Sequence, residues 1–83
     1  MPNITIYTTA YCPFCVQAKR LLNSKNVNYE EIAVDNEPQK RAEMMQKSQR
    51  TTVPQIFNND KHVGDCTEIF GFERDGTLDA LLA

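Results

Sequence analysis

Apolar and polar residues alternate from Ile4 to Tyr7, with Ile4 and Ile6 on one side and Thr5 and Tyr7 on the other, which is the period of a strand. After a short connection over Thr8 to Tyr11 the period lengthens. Phe14, Ala18, Leu21 and Leu22 recur on one helical face, and Lys19, Arg20 and Asn23 lie mostly off it. Pro13 suits the first helical position, where its missing N–H has no intrahelical partner to serve. Asn26 to Asn28 closes this helix. Tyr29 to Val34 returns to an imperfect two-residue alternation, with Glu30, Ile32 and Val34 on one face and Tyr29, Glu31 and Ala33 on the other. The acids and proline of Asp35-Asn36-Glu37-Pro38 signal a helix start. That helix is predicted to run to about Ser48 and to bury Ala42 and Met45. Gln49 to Thr52 reads as a polar loop. Gln55–Phe57 and Lys61–Val63 read as short strands around an Asn58-Asn59-Asp60 turn. Gly64 and Asp65 lead into a third helix from Cys66 to Phe70. Arg74-Asp75-Gly76 breaks it, and Leu78, Leu81 and Leu82 form a last apolar turn.

The order is therefore βαβαββα. The first crossover predicts a parallel, right-handed strand pair, and the hairpin adds antiparallel strands. The expected architecture is α/β, with one four-stranded mixed sheet and helices on both faces. Eighty-three residues suit a single domain, 1–83. The formal net charge of −2 gives no electrostatic case for nucleic acid or an anionic membrane as partner. No apolar stretch approaches the roughly 20 residues of a membrane span, and Ile4 to Tyr7 is too short for a signal-peptide core, so a cytoplasmic location is expected.

An odd count of three cysteines argues against a secreted disulfide framework. In a reducing compartment a close pair more often signals redox chemistry or metal. Cys12-Pro13-Phe14-Cys15 falls at the tip between the first strand and the first helix. A thiol there lies beside unpaired backbone N–H groups and the positive end of the helix dipole, which favour the reactive thiolate. Cys12 is at the solvent-accessible entrance and Cys15 one turn in, so Cys12 is expected to attack and Cys15 to resolve the mixed disulfide. Two rival readings stand beside this one. The pair could be core cysteines packing as small hydrophobes. Or Cys12, Cys15, His62 and Cys66 could supply zinc ligands with C-x2-C and H-x3-C spacing. Taken alone, His62 reads as a solvated edge-strand residue and Cys66 as a small residue at a helix start. Val53-Pro54 is a strand-start proline. If the bond is cis, the Val53 backbone turns toward the cysteine tip and can pair with an extended thiol peptide as a strand would.

Cys12-Pro13-Phe14-Cys15, Thr52-Val53-Pro54 and Gly64-Asp65-Cys66-Thr67, in this order and spacing, resemble a dithiol glutaredoxin, most closely the short bacterial type. The likeness covers essentially the whole chain. It implies a thioredoxin fold and a glutathione-dependent thiol–disulfide oxidoreductase that reduces protein–glutathione mixed disulfides and protein disulfides. In that resemblance Cys12 is the nucleophile and Cys15 the resolving thiol. Val53, beside a cis Pro54, pairs with the cysteinyl part of glutathione. Thr67 and the N–H groups of Cys66 and Thr67 cradle the γ-glutamyl carboxylate, as a helix amino end can. Arg41 stands where the family often holds the glycine carboxylate, and Phe14 where it usually has tyrosine. Tyr11, Thr52, Gly64 and Asp65 complete the expected glutathione site. The resemblance implies glutathione as co-substrate, glutathionylated or disulfide-containing proteins as partners, no resident metal and a monomer. Two positions depart from the pattern. Thr8-Thr9-Ala10-Tyr11 lacks the lysine many relatives carry before the first cysteine, and Asp65 replaces a common second glycine. A non-enzyme alternative is an iron–sulfur cluster carrier using Cys12 and glutathione. Relatives of that kind typically have serine and glycine where Cys15 and Pro13 stand.

Overall fold

Residues 2–83 are described by a computed structural model. The opening alternation becomes β1 (Ile4–Thr8), followed by α1 (Pro13–Ser24), β2 (Tyr29–Ala33), α2 (Pro38–Ser48), β3 (Gln55–Asn58), β4 (Lys61–Gly64), α3 (Cys66–Asp75) and α4 (Leu78–Leu82). The four strands form one sheet in the order β2-β1-β3-β4. β1 pairs parallel with β2 and antiparallel with β3, and β3 pairs antiparallel with β4. This is the mixed sheet expected of a thioredoxin fold.

The two-residue period of β1 assigns its side chains to two cores. Ile4 and Ile6 join Ala18, Leu21 and Leu22 of α1, Ile69 of α3, and Leu78 and Leu82 of α4 on one face. Tyr7 turns to the other face and packs with Val34, Met44 and Phe57 under α2. Helices thus cover both faces, and the chain leaves the β1 carboxyl end directly into α1.

Some sequence expectations shift here. Phe14 was expected on the inward face of α1, but it is exposed, and Cys15 takes the buried position one residue on. In α2 the inward residues are Met44 and Ser48, while Ala42 and Met45 face solvent. Adjacent methionines leave the helical phase ambiguous. Packing against Tyr7, Val34 and Phe57 decides it for Met44. The buried Ser48 hydroxyl is satisfied locally, donating to Met44 O at 2.7 Å and accepting the Arg50 N–H at 3.0 Å. The third helix continues past Phe70 to Asp75. It stops at Gly76, whose φ of 78° closes the helix in the left-handed region, and the last apolar turn is a short helix of its own.

Candidate functional site

β1 delivers the chain through Thr9–Tyr11 to Cys12, which caps α1 with extended backbone while Pro13 occupies the first helical position. The Cys12 Sγ accepts the backbone N–H of Cys15 at 3.1 Å and lies 3.9 Å from the carbonyl oxygen of Val53. The sulfur therefore bridges the α1 amino end and the loop before β3. Cys15 is 1 % exposed. Burial pushes its thiol up to about 12, and the hydrogen bond with Cys12 adds to this. A backbone hydrogen bond from Thr9 and the charge of Lys19 act in the opposite direction. At neutral pH Cys15 is a protonated, solvent-shielded thiol within one helical turn of an accessible one. All three cysteines are unpaired.

Beside this pair opens a cleft of about 260 Å³ lined by Phe14, Thr52, Val53, Pro54, Asp65, Cys66 and Thr67. The Val53–Pro54 peptide bond is cis. Seven of the residues singled out from sequence thus share one cavity. Gly64, the residue before Asp65, ends β4 with φ +147° and is not itself part of the lining. Tyr11 is 99 % exposed on the approach to Cys12 and does not line the cleft. Arg41 lies in the first turns of α2, where its backbone N–H donates to Glu37 O, and it is also outside the lining.

The floor at the α3 amino end is built from charge. The Asp65 side chain accepts the Glu68 N–H at 2.9 Å, and the Glu68 carboxylate accepts the Asp65 N–H at 3.0 Å, a reciprocal capping box. Arg50 grips the Glu68 carboxylate with two nitrogens, Nη2 at 3.0 Å from Oε2, and its Nη1 lies 3.4 Å from Asp65 Oδ2. The Arg50 guanidinium holds the Glu68 carboxyl well below the usual range, at about 2. Sequence reasoning missed Arg50 and Glu68. The spacing Asp65-Cys66-Thr67-Glu68 carries a capping-box signal, but nothing near Arg50 marks it as more than a loop charge. Cys66, at the first turn of α3, is buried, and burial pushes its thiol up, with the Asp65 and Cys12 charges adding to this.

Cys12, Cys15, His62 and Cys66 do not converge. Among the described residues no three histidine, cysteine, aspartate or glutamate side chains are grouped as metal ligands would be. His62 is half-buried rather than solvated. Its Nε2 lies 2.7 Å from Gln55 Oε1 and its ring packs on Phe57 at 5.0 Å between centroids. No helix among the described residues is long and apolar enough to cross a membrane.

Comparison with known proteins gives one consistent match. The glutaredoxin family model matches residues 4–63. A Pseudomonas aeruginosa protein named glutaredoxin is 52 % identical over 100 % of this chain and 99 % of its own length. The solution structure of a Brucella melitensis glutaredoxin superposes with a TM-score of 0.86 at 44 % identity, covering 99 % of this chain and 89 % of that one. A buckwheat glutaredoxin–glutathione complex superposes with a TM-score of 0.87 at 28 % identity, over 98 % of this chain and 76 % of that one.

Proposed function

Because the chain belongs to the glutaredoxin family, and is therefore a glutathione-dependent thiol–disulfide oxidoreductase, we propose that Cys12 is its nucleophile, Cys15 its resolving thiol and the adjoining cleft its glutathione site. One observation carries this reading. The Cys12 sulfur lies 3.9 Å from the carbonyl oxygen of Val53, a residue of the cleft lining, with a backbone N–H of α1 directed at it.

The Cys12 thiolate attacks the glutathionyl sulfur of a protein–glutathione mixed disulfide. The Cys12–glutathione S–S bond forms, the substrate S–S bond breaks, and the substrate leaves as a thiolate that takes up a proton. A second glutathione thiolate then attacks the bound glutathionyl sulfur. This releases glutathione disulfide and restores Cys12. With a protein disulfide, Cys12 instead forms a mixed disulfide to one substrate cysteine. The Cys15 sulfur attacks Cys12, the Cys12–substrate S–S bond breaks and the reduced substrate leaves as a dithiol, and two glutathiones later reduce the Cys12–Cys15 bond, leaving as glutathione disulfide.

In the bound complex the Val53 backbone pairs with the cysteinyl peptide unit as an added strand. The α3 amino end receives the γ-glutamyl carboxylate. Asp65 occupies the Glu68 N–H with its side chain and the Ile69 N–H with its carbonyl, which leaves the Cys66 and Thr67 N–H groups for that anion. Thr52, Pro54 and Phe14 wall the cleft. Gly64 and Asp65 shape its floor, and Tyr11 and Arg41 act from outside, on the approaching substrate and on the glycine carboxylate. The proposed setting is a cytoplasmic monomer acting on glutathionylated and disulfide-bearing proteins.

The test compares Cys12→Ser and Cys15→Ser on a glutathionylated peptide and on a protein disulfide. Cys12→Ser is expected to abolish both turnovers. Cys15→Ser is expected to keep deglutathionylation and lose disulfide reduction. Full activity without Cys12 refutes the assignment.

A further inference from the structure

Next to Cys15 is a polar cluster that the exchange steps above do not use. Lys19 stands one helical turn after Cys15, so the two share a face of α1. Its Nζ donates to Glu31 Oε2 on β2 at 3.0 Å, and the same oxygen accepts the Thr8 hydroxyl at 2.7 Å. Thr8 is fully buried, and the alternation of β1 turns it to the side of Ile4 and Ile6, the side covered by α1. Lys19 is thus no free surface charge. Its side chain is 29 % exposed and is held by a carboxylate that a buried hydroxyl fixes in turn. The Lys19 charge favours the Cys15 anion, as a backbone hydrogen bond from Thr9 also does, against the larger effect of burial.

The resolving step has a specific electrostatic need. Cys15 must give up its proton inside the protein, where burial disfavours the anion. We propose that Lys19, oriented by Glu31 and Thr8, is the positioning residue for resolution, supplying the positive charge against which the Cys15 sulfur turns anionic as it attacks Cys12. In that step the Cys15–Cys12 S–S bond forms and the bond from Cys12 to the substrate sulfur breaks. The proton lost by Cys15 ends on the departing thiolate, and Lys19 keeps its own proton throughout. Glu31 has two opposed effects: it fixes the ammonium in place and it offsets part of its charge. The attack of Cys12 on substrate does not involve this cluster. The inference rests on the reading of Cys15 as the resolving thiol.

Rapid mixing of the reduced protein with excess glutathione disulfide separates the steps. Acid quench and mass spectrometry follow a glutathionylated species (first phase), then its conversion to the intramolecular disulfide with loss of glutathione (second phase). Lys19→Met is expected to slow the second phase about two- to fivefold, the size of a partly exposed charge interaction, with the effect confined to that phase. Lys19→Arg restores it. Glu31→Gln, which keeps an oxygen for Thr8 and Lys19 but removes the opposing charge, is expected to speed the second phase by a similar factor. Opposite signs at Lys19 and Glu31 are not what a merely structural pair gives. A second phase unchanged in Lys19→Met, or slowed alike by Lys19→Met and Glu31→Gln, overturns the inference and leaves Cys15 as the resolving thiol. Absence of any second phase in the unmodified protein overturns both readings.

Discussion

Gly64 is the residue on which the cleft floor turns, and Gly64→Ala tests that floor directly. Its φ of +147° is a conformation that side-chain-bearing residues rarely adopt, and a Cβ placed there meets Glu68 Cβ and Oε1, each at 2.9 Å. Holding a non-glycine residue in such a region costs about 1–3 kcal/mol. The collision adds to this, because Glu68 is not free to swing away. Its carboxylate takes the Asp65 N–H and both Arg50 nitrogens. Displacing it forfeits the capping box, worth about 1 kcal/mol, and a partly exposed ion pair of about 0.2–1 kcal/mol. The expected loss is about 2–5 kcal/mol, a large part of the stability of a domain this small. In urea, with a slope near 1 kcal/mol per molar, the midpoint should fall by about 2 M or more. A double-mutant cycle isolates the collision. In a Glu68→Gly background, which removes the Cβ as well as the carboxylate, Gly64→Ala should cost only its backbone share, about 1–3 kcal/mol. The variant should also raise KM for a glutathionylated peptide, because the α3 amino end moves with Glu68. A loss under about 0.5 kcal/mol, or the same cost in both backgrounds, would refute the reasoning.

Two further outcomes follow from the charge and burial of this site. Arg50 lowers the Glu68 carboxyl in the folded state, so the stability it contributes is fully present above the ordinary carboxylate range and is lost as pH falls toward about 2. Arg50→Met should therefore move the acid-unfolding midpoint, followed by circular dichroism, to higher pH. The change in stability should be no more than about 0.2–1 kcal/mol, since both side chains are more than a third exposed. Iodoacetamide at pH 7.5 should label Cys12 while leaving Cys15 and Cys66 intact, because burial keeps both of those as thiols and out of reach. Peptide mass mapping reads this, and equal labelling of Cys12 and Cys15 contradicts the unequal roles.

The sheet was legible because each strand carries a local signal: a clean alternation at Ile4–Tyr7, and a turn triplet between β3 and β4. The α1 start was legible from Pro13, and the cysteine tip came with it. Helix phase was less so. Phe14 fits an apolar face by spacing, yet the backbone directs Cys15 inward instead, and Met44 and Met45 cannot be told apart without Tyr7, Val34 and Phe57 opposite. The charged parts of the site were the least visible. Arg50, Asp65 and Glu68 meet only because the α2–β3 loop and the β4–α3 turn lie side by side in space, and Lys19 of α1 finds Glu31 of β2. Pairings of this kind have no sequence period and are set by tertiary register.

That register also bears on Asp65. Seen in sequence, its carboxylate is as able to repel the γ-glutamyl carboxylate as to attract the neighbouring ammonium. In the structure neither oxygen is idle. One caps α3 through the Glu68 N–H, and the other lies toward Arg50. One guanidinium between two carboxylates leaves the cluster with a net charge of −1, drawn back from the two amides at the tip of α3. In the proposed complex this separates the two ends of a zwitterion. The carboxylate meets the Cys66 and Thr67 N–H groups, and the ammonium meets the residual negative charge around Asp65 and Glu68. Asp65 thus takes up the third amide of the helix and, with Glu68, returns a negative charge at its side. A helix end that would accept any anion becomes one that favours an anion with a cation attached.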